Sequence, residues 1–102
     1  MQKMNVIFVD DELDRLEIDV NYTGGRSAAI VKAFRNRMQA IRAASDERVF
    51  YAMRSFRFEK LKGKRKHQHS MRLNDQYRLV VEIVKNNSRG NVIKIVSIED
   101  YH

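Results

Sequence analysis

The stretch QHSMRLNDQYRLVVEIV, residues 68–84, decides the fold of this chain. Apolar and polar side chains alternate on both sides of Asn74-Asp75, with the period of two that is typical of β-strands. Asn and Asp tolerate a positive φ and therefore suit a tight turn between two strands. We predict an antiparallel hairpin formed by the strands Gln68–Leu73 and Tyr77–Val84.

The period of two continues outward from this hairpin in both directions. The run Val92–Ile98 is strongly apolar and follows a looser turn, NNSRGN at residues 86–91. We therefore predict that Val92–Ile98 and Tyr77–Val84 are the central strands of a sheet. On the other side of the hairpin, Ser55–Leu61 alternates more weakly and predicts a further strand.

The N-terminal half combines one short apolar run with helical patterns. MNVIFV, residues 4–9, is β-branched and aromatic, whereas later apolar residues recur every three or four positions. Acidic residues, and a serine before the longest helical pattern, are favourable at helix N-termini. The first predicted element is a buried strand, Met4–Val9. A short helix then begins at Asp10-Asp11, includes Leu13, Leu16 and Val20 on its apolar face, and ends at residues 22–25. A longer helix from Ser27 to about Ala44 and a further helical segment Asp46–Met53 follow.

The order of these elements predicts the fold class. One strand, two to three helices and then a strand meander are typical of an α+β fold in which the helices pack on one face of an antiparallel β-sheet. The length of 102 residues suits a single domain, residues 1–102, with no internal boundary. A hydrophobic content of 43% separates the chain from disordered basic tails, so we expect it to fold by itself.

Residue types that are missing exclude several classes of chemistry. The chain has no cysteine, which excludes a disulfide framework, thiolate catalysis and Cys-type zinc sites, and its three histidines leave little room for a metal site. No apolar run approaches the roughly 20 residues needed to span a bilayer, and acids near the N-terminus stand where a signal peptide would be apolar. We therefore expect a cytoplasmic protein with no membrane partner, no bound metal and no cofactor.

The positive charge is concentrated in one segment. Residues 54–78 contain nine Lys and Arg but only two acids, a net charge of +7 that equals the formal charge of the whole chain. A local field of this size attracts polyphosphate, which makes nucleic acid or a ribonucleoprotein the first partner to consider. A solvated basic hairpin without a partner is the alternative that composition leaves open.

Several side chains in and near the basic segment are candidates for binding. Arg72 and Arg78 fall on neighbouring strands, so they can converge on an uncovered sheet face and hold a phosphate. His67 and His69 have the spacing of one strand face, but they lack a third obvious metal ligand and are expected to be solvated. Aromatic residues that interleave with the cations can stack on bases, although most are expected in the core. These residues are Tyr51, Phe56, Phe58, Tyr77 and Tyr101.

Three motifs resemble those of one toxin family. They are LKG at residues 61–63, SMRLNDQYR at residues 70–78 and DYH at residues 100–102. In this combination and spacing the chain resembles the HigB (proteic killer) branch of the RelE/ParE toxin superfamily. The resemblance implies a RelE-like fold and a ribosome-dependent mRNA endonuclease. It also implies a HigA-like helix-turn-helix antitoxin that holds the toxin inactive and through which the toxin binds operator DNA indirectly.

The resemblance also implies which residues form the site. The catalytic set would be Lys62, Arg78, Asp100, Tyr101 and His102. The position of a histidine that helps catalysis in several family members is occupied here by Glu59, which is either a substitute base or a structural ion pair. Because the ribosome would align the mRNA in its A site, a second set would dock on RNA. This second set is Lys60, Lys64, Arg65, Lys66 and Arg72.

Metal-free cleavage of RNA sets requirements that these residue types can meet. The 2′-hydroxyl must lose its proton and lie in line with the phosphate, the charge of the phosphorane must be offset, and the leaving 5′-oxygen must gain a proton. We expect Lys62 and Arg78 to bind the scissile phosphate. His102 would then transfer a proton, Tyr101 would contact the splayed nucleotides, and Asp100 would orient its neighbours.

Two other functions are compatible with the same sequence. ParE-type members of the superfamily share the fold but poison DNA gyrase, so the fold alone does not determine the target. A non-cleaving RNA- or ribosome-binding module, or a decayed toxin, would keep the basic segment while Glu59 marks lost catalysis. The terminal Asp100-Tyr101-His102 argues against the ParE-type function.

Overall fold

The structure, a computed structural model, describes residues 3–85 and 90–101. Three α-helices, five strands and two short 3₁₀ turns occupy the described residues. In chain order these elements are β1 (Asn5–Phe8), α1 (Asp11–Ile18), α2 (Ala28–Ala43), α3 (Arg48–Ala52), a 3₁₀ turn (Arg54–Phe56), β2 (Glu59–Lys60), a second 3₁₀ turn (Gly63–Arg65), β3 (Gln68–Arg72), β4 (Tyr77–Val84) and β5 (Val92–Asp100).

The five strands form one sheet in the order β1-β5-β4-β3-β2. Strands β2 to β5 pair antiparallel, as expected for a meander, whereas β1 pairs parallel to β5 and makes the sheet mixed. The predicted α+β architecture, with helices packed against the sheet, is confirmed. The two most apolar strands, β4 and β5, lie inside the sheet as predicted.

The core lies between the helices and one face of the sheet. Helix α2 contributes a fully buried stripe that includes Phe34 and Met38, and the sheet contributes alternate residues of β4 and β5 such as Leu79 and Ile95. Both longer helices begin where the sequence predicts. Asp10 Oδ1 accepts a hydrogen bond from the Glu12 N–H at 2.8 Å at the start of α1, and Ser27 caps α2.

The first strand and the first helix differ from the prediction. The prediction of a buried first strand is wrong, because β1 lies at the sheet edge and leaves Ile7 47% exposed. Helix α1 ends at Ile18, so Val20 does not belong to its apolar face and is 76% exposed. Strand β5 extends to Asp100, two residues beyond the predicted end.

The predicted strand Ser55–Leu61 is mostly wrong. A 3₁₀ turn occupies Arg54–Phe56, Arg57 adopts a left-handed conformation, and only Glu59–Lys60 pairs as a strand. The physical reason is local hydrogen bonding, since the Phe56 N–H donates to the Met53 carbonyl at 2.9 Å and the Arg57 N–H to the Arg54 carbonyl at 3.1 Å, which closes a turn in place of strand pairing. The loop predicted at residues 86–91 lies mainly outside the described residues.

Candidate functional site

The site lies on the face of the sheet opposite the helices. Strand alternation and register place a polar row there, because Arg78 on β4 pairs with Arg72 on β3 and with Glu99 on β5. Glu59 on β2 pairs with Ser70 on β3 and lies on the same face. The neighbouring residues of β4 point to the helices, so this row is separated from the core by the sheet itself.

Arg78 is the most firmly held cation of this row. It is only 8% exposed, and its Nε donates to Ser70 Oγ at 2.8 Å. Its Nη2 donates to the backbone carbonyls of Arg57 and, at 3.3 Å, of Ser70. These three acceptors are neutral, whereas the nearest carboxylate, Glu59 Oε1, lies 3.6 Å from Nη2. Neutral groups therefore fix the orientation of the guanidinium, and Glu59 pairs with it at the longer distance of an ion pair.

The C-terminal end of β5 brings a phenol to this guanidinium. Arg78 Cζ lies 5.0 Å from the centroid of the Tyr101 ring, within the range of a cation–π contact. The Tyr101 N–H donates to the Gln76 carbonyl at 2.7 Å, and Gln76 Nε2 donates to Asp100 Oδ2 at 3.0 Å. The turn between β3 and β4 thus holds the end of β5 beside Arg78, and Tyr101 remains 48% exposed.

The turn that holds this end is itself well ordered by hydrogen bonds. Asn74 Oδ1 accepts from the Gln76 N–H at 2.9 Å and from the Tyr77 N–H at 2.7 Å. This Asx arrangement is the reason why Asn favours the position. The chain turns at Asn74-Asp75 as predicted, but the connection spans residues 73–76 and neither Asn74 nor Asp75 has a positive φ.

Lys62 shares a cleft with these groups. The cleft has a volume of about 360 Å³. Its lining consists of Glu59, Lys60, Leu61, Lys62 and Tyr101. The structure thus brings Lys62 and Tyr101 to one cleft and places Arg78 beside Tyr101. Asp100 lies on the neighbouring strand end, and His102 lies outside the described residues.

The five residues predicted to dock on RNA fall into two groups. Arg65 is bound by Glu99 through a bidentate pair of 2.7 and 2.6 Å, which lowers the pKa of Glu99 because the guanidinium donates to its carboxylate. Arg72 pairs with Asp75. The remaining three are exposed and have no ion partner within residues 3–85 and 90–101. They are Lys60, Lys64 and Lys66.

The two histidines of β3 and its preceding turn do not meet at one site. His67 Nε2 lies 3.7 Å from Glu82, whereas His69 stacks on Phe58 with ring centroids 4.8 Å apart. Burial lowers the pKa of His69, and the nearby Lys60 charge adds to this effect. In the part of the chain that the structure describes, no three His, Cys, Asp or Glu side chains group as metal ligands would.

Sequence reasoning missed two groups that hold Arg78. Ser70 is fully buried, and its position in the hairpin, two residues from the partner of Arg78, is a signal that could have placed it on the same face. The Arg57 carbonyl had no such signal, since a left-handed non-glycine residue is not visible in sequence. Glu59 was singled out only as a departure from a family pattern, and it lies in the cleft.

Larger grooves lie elsewhere, beside the helices. One, of about 690 Å³, is bordered by residues of α1 and α2 and includes Ile18 and Arg35. A second, of about 460 Å³, adjoins it and includes Val20 and Val31. Among the described residues, no helix has the length and apolar character needed to cross a membrane.

Comparison with known proteins gives one family and a consistent fold. Residues 6–99 match the model of the HigB-like toxin family, described as the RelE-like toxin HigB of a type II toxin–antitoxin system. No curated protein sequence matches significantly.

Three solved structures resemble the chain over nearly its whole length. A YoeB/ParE toxin from Agrobacterium tumefaciens is 15% identical with a TM-score of 0.60, the match covering 97% of this chain and 100% of that one. The YoeB–YefM complex from Staphylococcus aureus gives 24% identity, a TM-score of 0.57 and 99% coverage of both chains. The YoeB dimer from Staphylococcus aureus gives 22%, 0.53 and again 99% of both chains. At these identities the likeness shows the fold.

Proposed function

The chain belongs to the HigB-like family of type II toxins, and from this premise we propose that it is a ribosome-dependent endoribonuclease that cleaves mRNA. The cleavage we propose is metal-free attack of a 2′-hydroxyl on the adjacent phosphodiester. The observation that carries the proposal is the contact of the buried Arg78 guanidinium with the exposed Tyr101 ring, next to a cleft that also holds Lys62. A single bent RNA strand can meet all three groups there.

Arg78 and Lys62 are proposed to bind the scissile phosphate. A preorganised cation is most effective where negative charge develops, and removing one such donor typically costs about 10² to 10³ in rate. Arg78 meets this condition because three neutral acceptors fix its orientation. Lys62 has a flexible stem and suits the less strictly placed non-bridging oxygens.

Glu59 is proposed to take part in proton transfer together with His102. Its side chain is 53% exposed in the cleft, and its carboxylate lies 3.6 Å from Arg78 Nη2, beyond ordinary hydrogen-bond distance. The carboxylate is therefore close to the phosphate-binding group and still open to a substrate hydroxyl. A positioned acid or base of this kind typically contributes about 10² to 10⁴ in rate.

The remaining residues are proposed to align the RNA. Tyr101 stacks on a splayed nucleotide with the ring face that Arg78 does not cover, and Asp100 orients the end of β5 through Gln76. The exposed lysines Lys60, Lys64 and Lys66 dock on ribosomal RNA. The ribosomal A site would supply the alignment of the mRNA, so the isolated protein should cut free RNA poorly.

An antitoxin is the proposed protein partner, with the toxin acting in the cytoplasm. One of the similar structures is a YoeB–YefM complex. In this chain, exposed Ile18 and Val20 line the grooves beside α1 and α2 together with lysine and arginine side chains. The outer edge of β1 is a second surface on which an antitoxin could bind. A HigA-like helix-turn-helix antitoxin that covers these surfaces would carry the toxin to operator DNA indirectly.

Inhibition of gyrase is the second candidate function, favoured only by the fold shared with a YoeB/ParE toxin. A non-cleaving binder is the third, in which Glu59 serves as an ion-pair partner of Arg78. Mapping of mRNA 5′ ends after brief induction separates the three. The nuclease predicts cuts in phase with codons, gyrase inhibition predicts DNA damage without cuts, and the binder predicts neither.

Matched variants connect the cuts to the cleft. Lys62→Ala and Tyr101→Ala change exposed residues of the site, whereas Lys32→Ala removes an equally exposed charge from α2. We expect the cuts to fall strongly in the first two variants and to persist in the third. Equal cutting by all three would contradict the proposed site.

A further inference from the structure

Arg57 has an unusual backbone conformation for its residue type. Its φ of 44° and ψ of 50° are left-handed, and among the described residues it is the only non-glycine with a positive φ. L-amino acids other than glycine rarely adopt this region, because Cβ approaches the following carbonyl. The surrounding structure must therefore impose the conformation.

Two buried rings and one hydrogen bond hold the chain on either side of this residue. Phe56 and Phe58 on either side are 3% and 7% exposed and both belong to the core. The Arg57 N–H closes the preceding turn by donating to the Arg54 carbonyl at 3.1 Å. Arg57 therefore links the end of the 3₁₀ turn to the approach of β2, while its own side chain remains exposed.

The left-handed turn has one consequence for the site. It directs the Arg57 carbonyl at Arg78 Nη2, which donates a hydrogen bond to it. Together with the Ser70 hydroxyl and carbonyl, this carbonyl accounts for all three protein acceptors of the guanidinium among the described residues. Two of the three are backbone carbonyls, which side-chain motions do not displace.

We infer that Arg57 is a positioning residue that acts through its left-handed backbone and not through its charge. The inference rests on the proposed function in one respect, namely that Arg78 is the phosphate-binding group. Arg57 then has a different role from the exposed lysines of the basic segment, although its side chain is also exposed. The geometry assigns its carbonyl to the orientation of Arg78.

Substitution of Arg57 by residues with different left-handed propensity tests this inference. Arg57→Gly, Arg57→Asn, Arg57→Ala and Arg57→Val all remove the same charge, but glycine and asparagine tolerate a positive φ whereas β-branched valine does not. If the backbone matters, kcat on programmed ribosomes should fall in the order Gly, Asn, Ala, Val. We expect about 10² between the two extremes, since a misplacement of about 1 Å can cost that much, with similar KM values.

Two controls separate positioning from general stability. The resonance of Arg78 Nε–Hε in ¹H–¹⁵N spectra should stay near its original position in the Gly variant and move in the Ala and Val variants. In an Arg78→Lys background, the difference in kcat between the Gly and Val variants should vanish, since the group to be positioned is gone. If Val does not fold, the Ala and Asn variants give the same comparison over a smaller range.

Three results would overturn the inference. Equal loss of ribosome affinity in all four variants would make Arg57 a docking cation. Equal kcat values with an unmoved Arg78 resonance would show that the left-handed backbone is not needed. A difference between Gly and Val that persists in the Arg78→Lys background would reflect stability alone. Because the resonance is measured without RNA, a failure of the proposed nuclease activity would leave this part of the test intact.

Discussion

Two groups of cations in the basic segment 54–78 are held in opposite ways. Arg78 is buried, and neutral acceptors fix its Nε and Nη2 atoms. Lys60, Lys64 and Lys66 are exposed and have no ion partner in the described part of the chain. One cation is preorganised at a single point, whereas the others can follow an irregular phosphate backbone. Net charge alone does not show this division, which we propose separates chemistry from docking.

The largest expected effect is that of Arg78→Lys. Lysine keeps the positive charge but lacks the planar guanidinium that donates to both Ser70 and the Arg57 carbonyl. We therefore expect a loss of about 10² to 10³ in kcat. Single-turnover cleavage on programmed ribosomes measures it. Arg72→Lys is the matched control, because Arg72 lies on the same face but pairs only at the surface with Asp75. Equal rates for the two variants would remove the distinction between fixed and docking cations.

Ser70→Ala should have the next largest effect. The Ser70 hydroxyl is fully buried, and its removal leaves the Arg78 Nε–H without its acceptor at a cost of roughly 1–3 kcal/mol. We expect a lower urea midpoint together with a lower kcat. Ser97→Ala is the control, since it removes a hydroxyl that bonds the part-exposed Glu99. An unchanged midpoint in the Ser70 variant would show that the hydroxyl does not hold Arg78.

Tyr101→Ala should reduce activity without reducing stability. Stacking of a base on an aromatic ring contributes about 1 to 3 kcal/mol, so the loss should be about ten- to hundredfold in kcat/KM. The urea midpoint should stay the same, because Tyr101 is 48% exposed at the end of β5. Tyr101→Phe keeps the stacking face and isolates the hydroxyl. A Phe variant as inactive as the Ala variant would assign the role to the hydroxyl and contradict stacking.

Neutralising the exposed lysines should have a smaller and more uniform effect. Lys64→Gln combined with Lys66→Gln should weaken ribosome association and lower its salt dependence by about 0.7 per lost phosphate contact. Lys3→Gln combined with Lys32→Gln gives a protein of the same net charge without changing the cleft. Identical salt slopes for the two double variants would show that only net charge matters, against a docking role for this loop.

The smallest expected effect is on the pH dependence of folding stability, through His69, which lies outside the cleft. Burial lowers the pKa of His69, so its neutral form is favoured in the folded protein. The unfolded chain then takes up a proton first as the pH falls below about 6.5, and folding stability decreases with falling pH in that window. His69→Phe keeps a ring on Phe58 and should flatten this dependence in urea unfolding between pH 7 and 5. An unchanged slope would assign it to other groups.

The sequence predicted the features that local patterns determine and missed those that local patterns do not reveal. The bounds of β4 and the cap of α2 were predicted correctly, because strong periodicity and local hydrogen bonds determine them. The strand predicted at Ser55–Leu61 failed because its first half is closed into a 3₁₀ turn that ends at a left-handed Arg57, and weak alternation reveals neither feature. Likewise, Arg65 bonds Glu99 across 34 residues, which no local pattern reveals. Motifs indicated Lys62, Arg78 and Tyr101 as a site, but not the groups that orient Arg78.

The central claim is that Arg78 and Tyr101 contact the same bent RNA strand, and a double-mutant cycle tests it most directly. Single-turnover cleavage rates on programmed ribosomes are measured for the original protein, Arg78→Lys, Tyr101→Ala and the double variant. If both groups contact one bent strand, their effects are coupled, and the double variant should be at least about tenfold faster than the product of the two single losses predicts. Losses that simply multiply would show that the guanidinium and the phenol act independently, and would contradict a shared site.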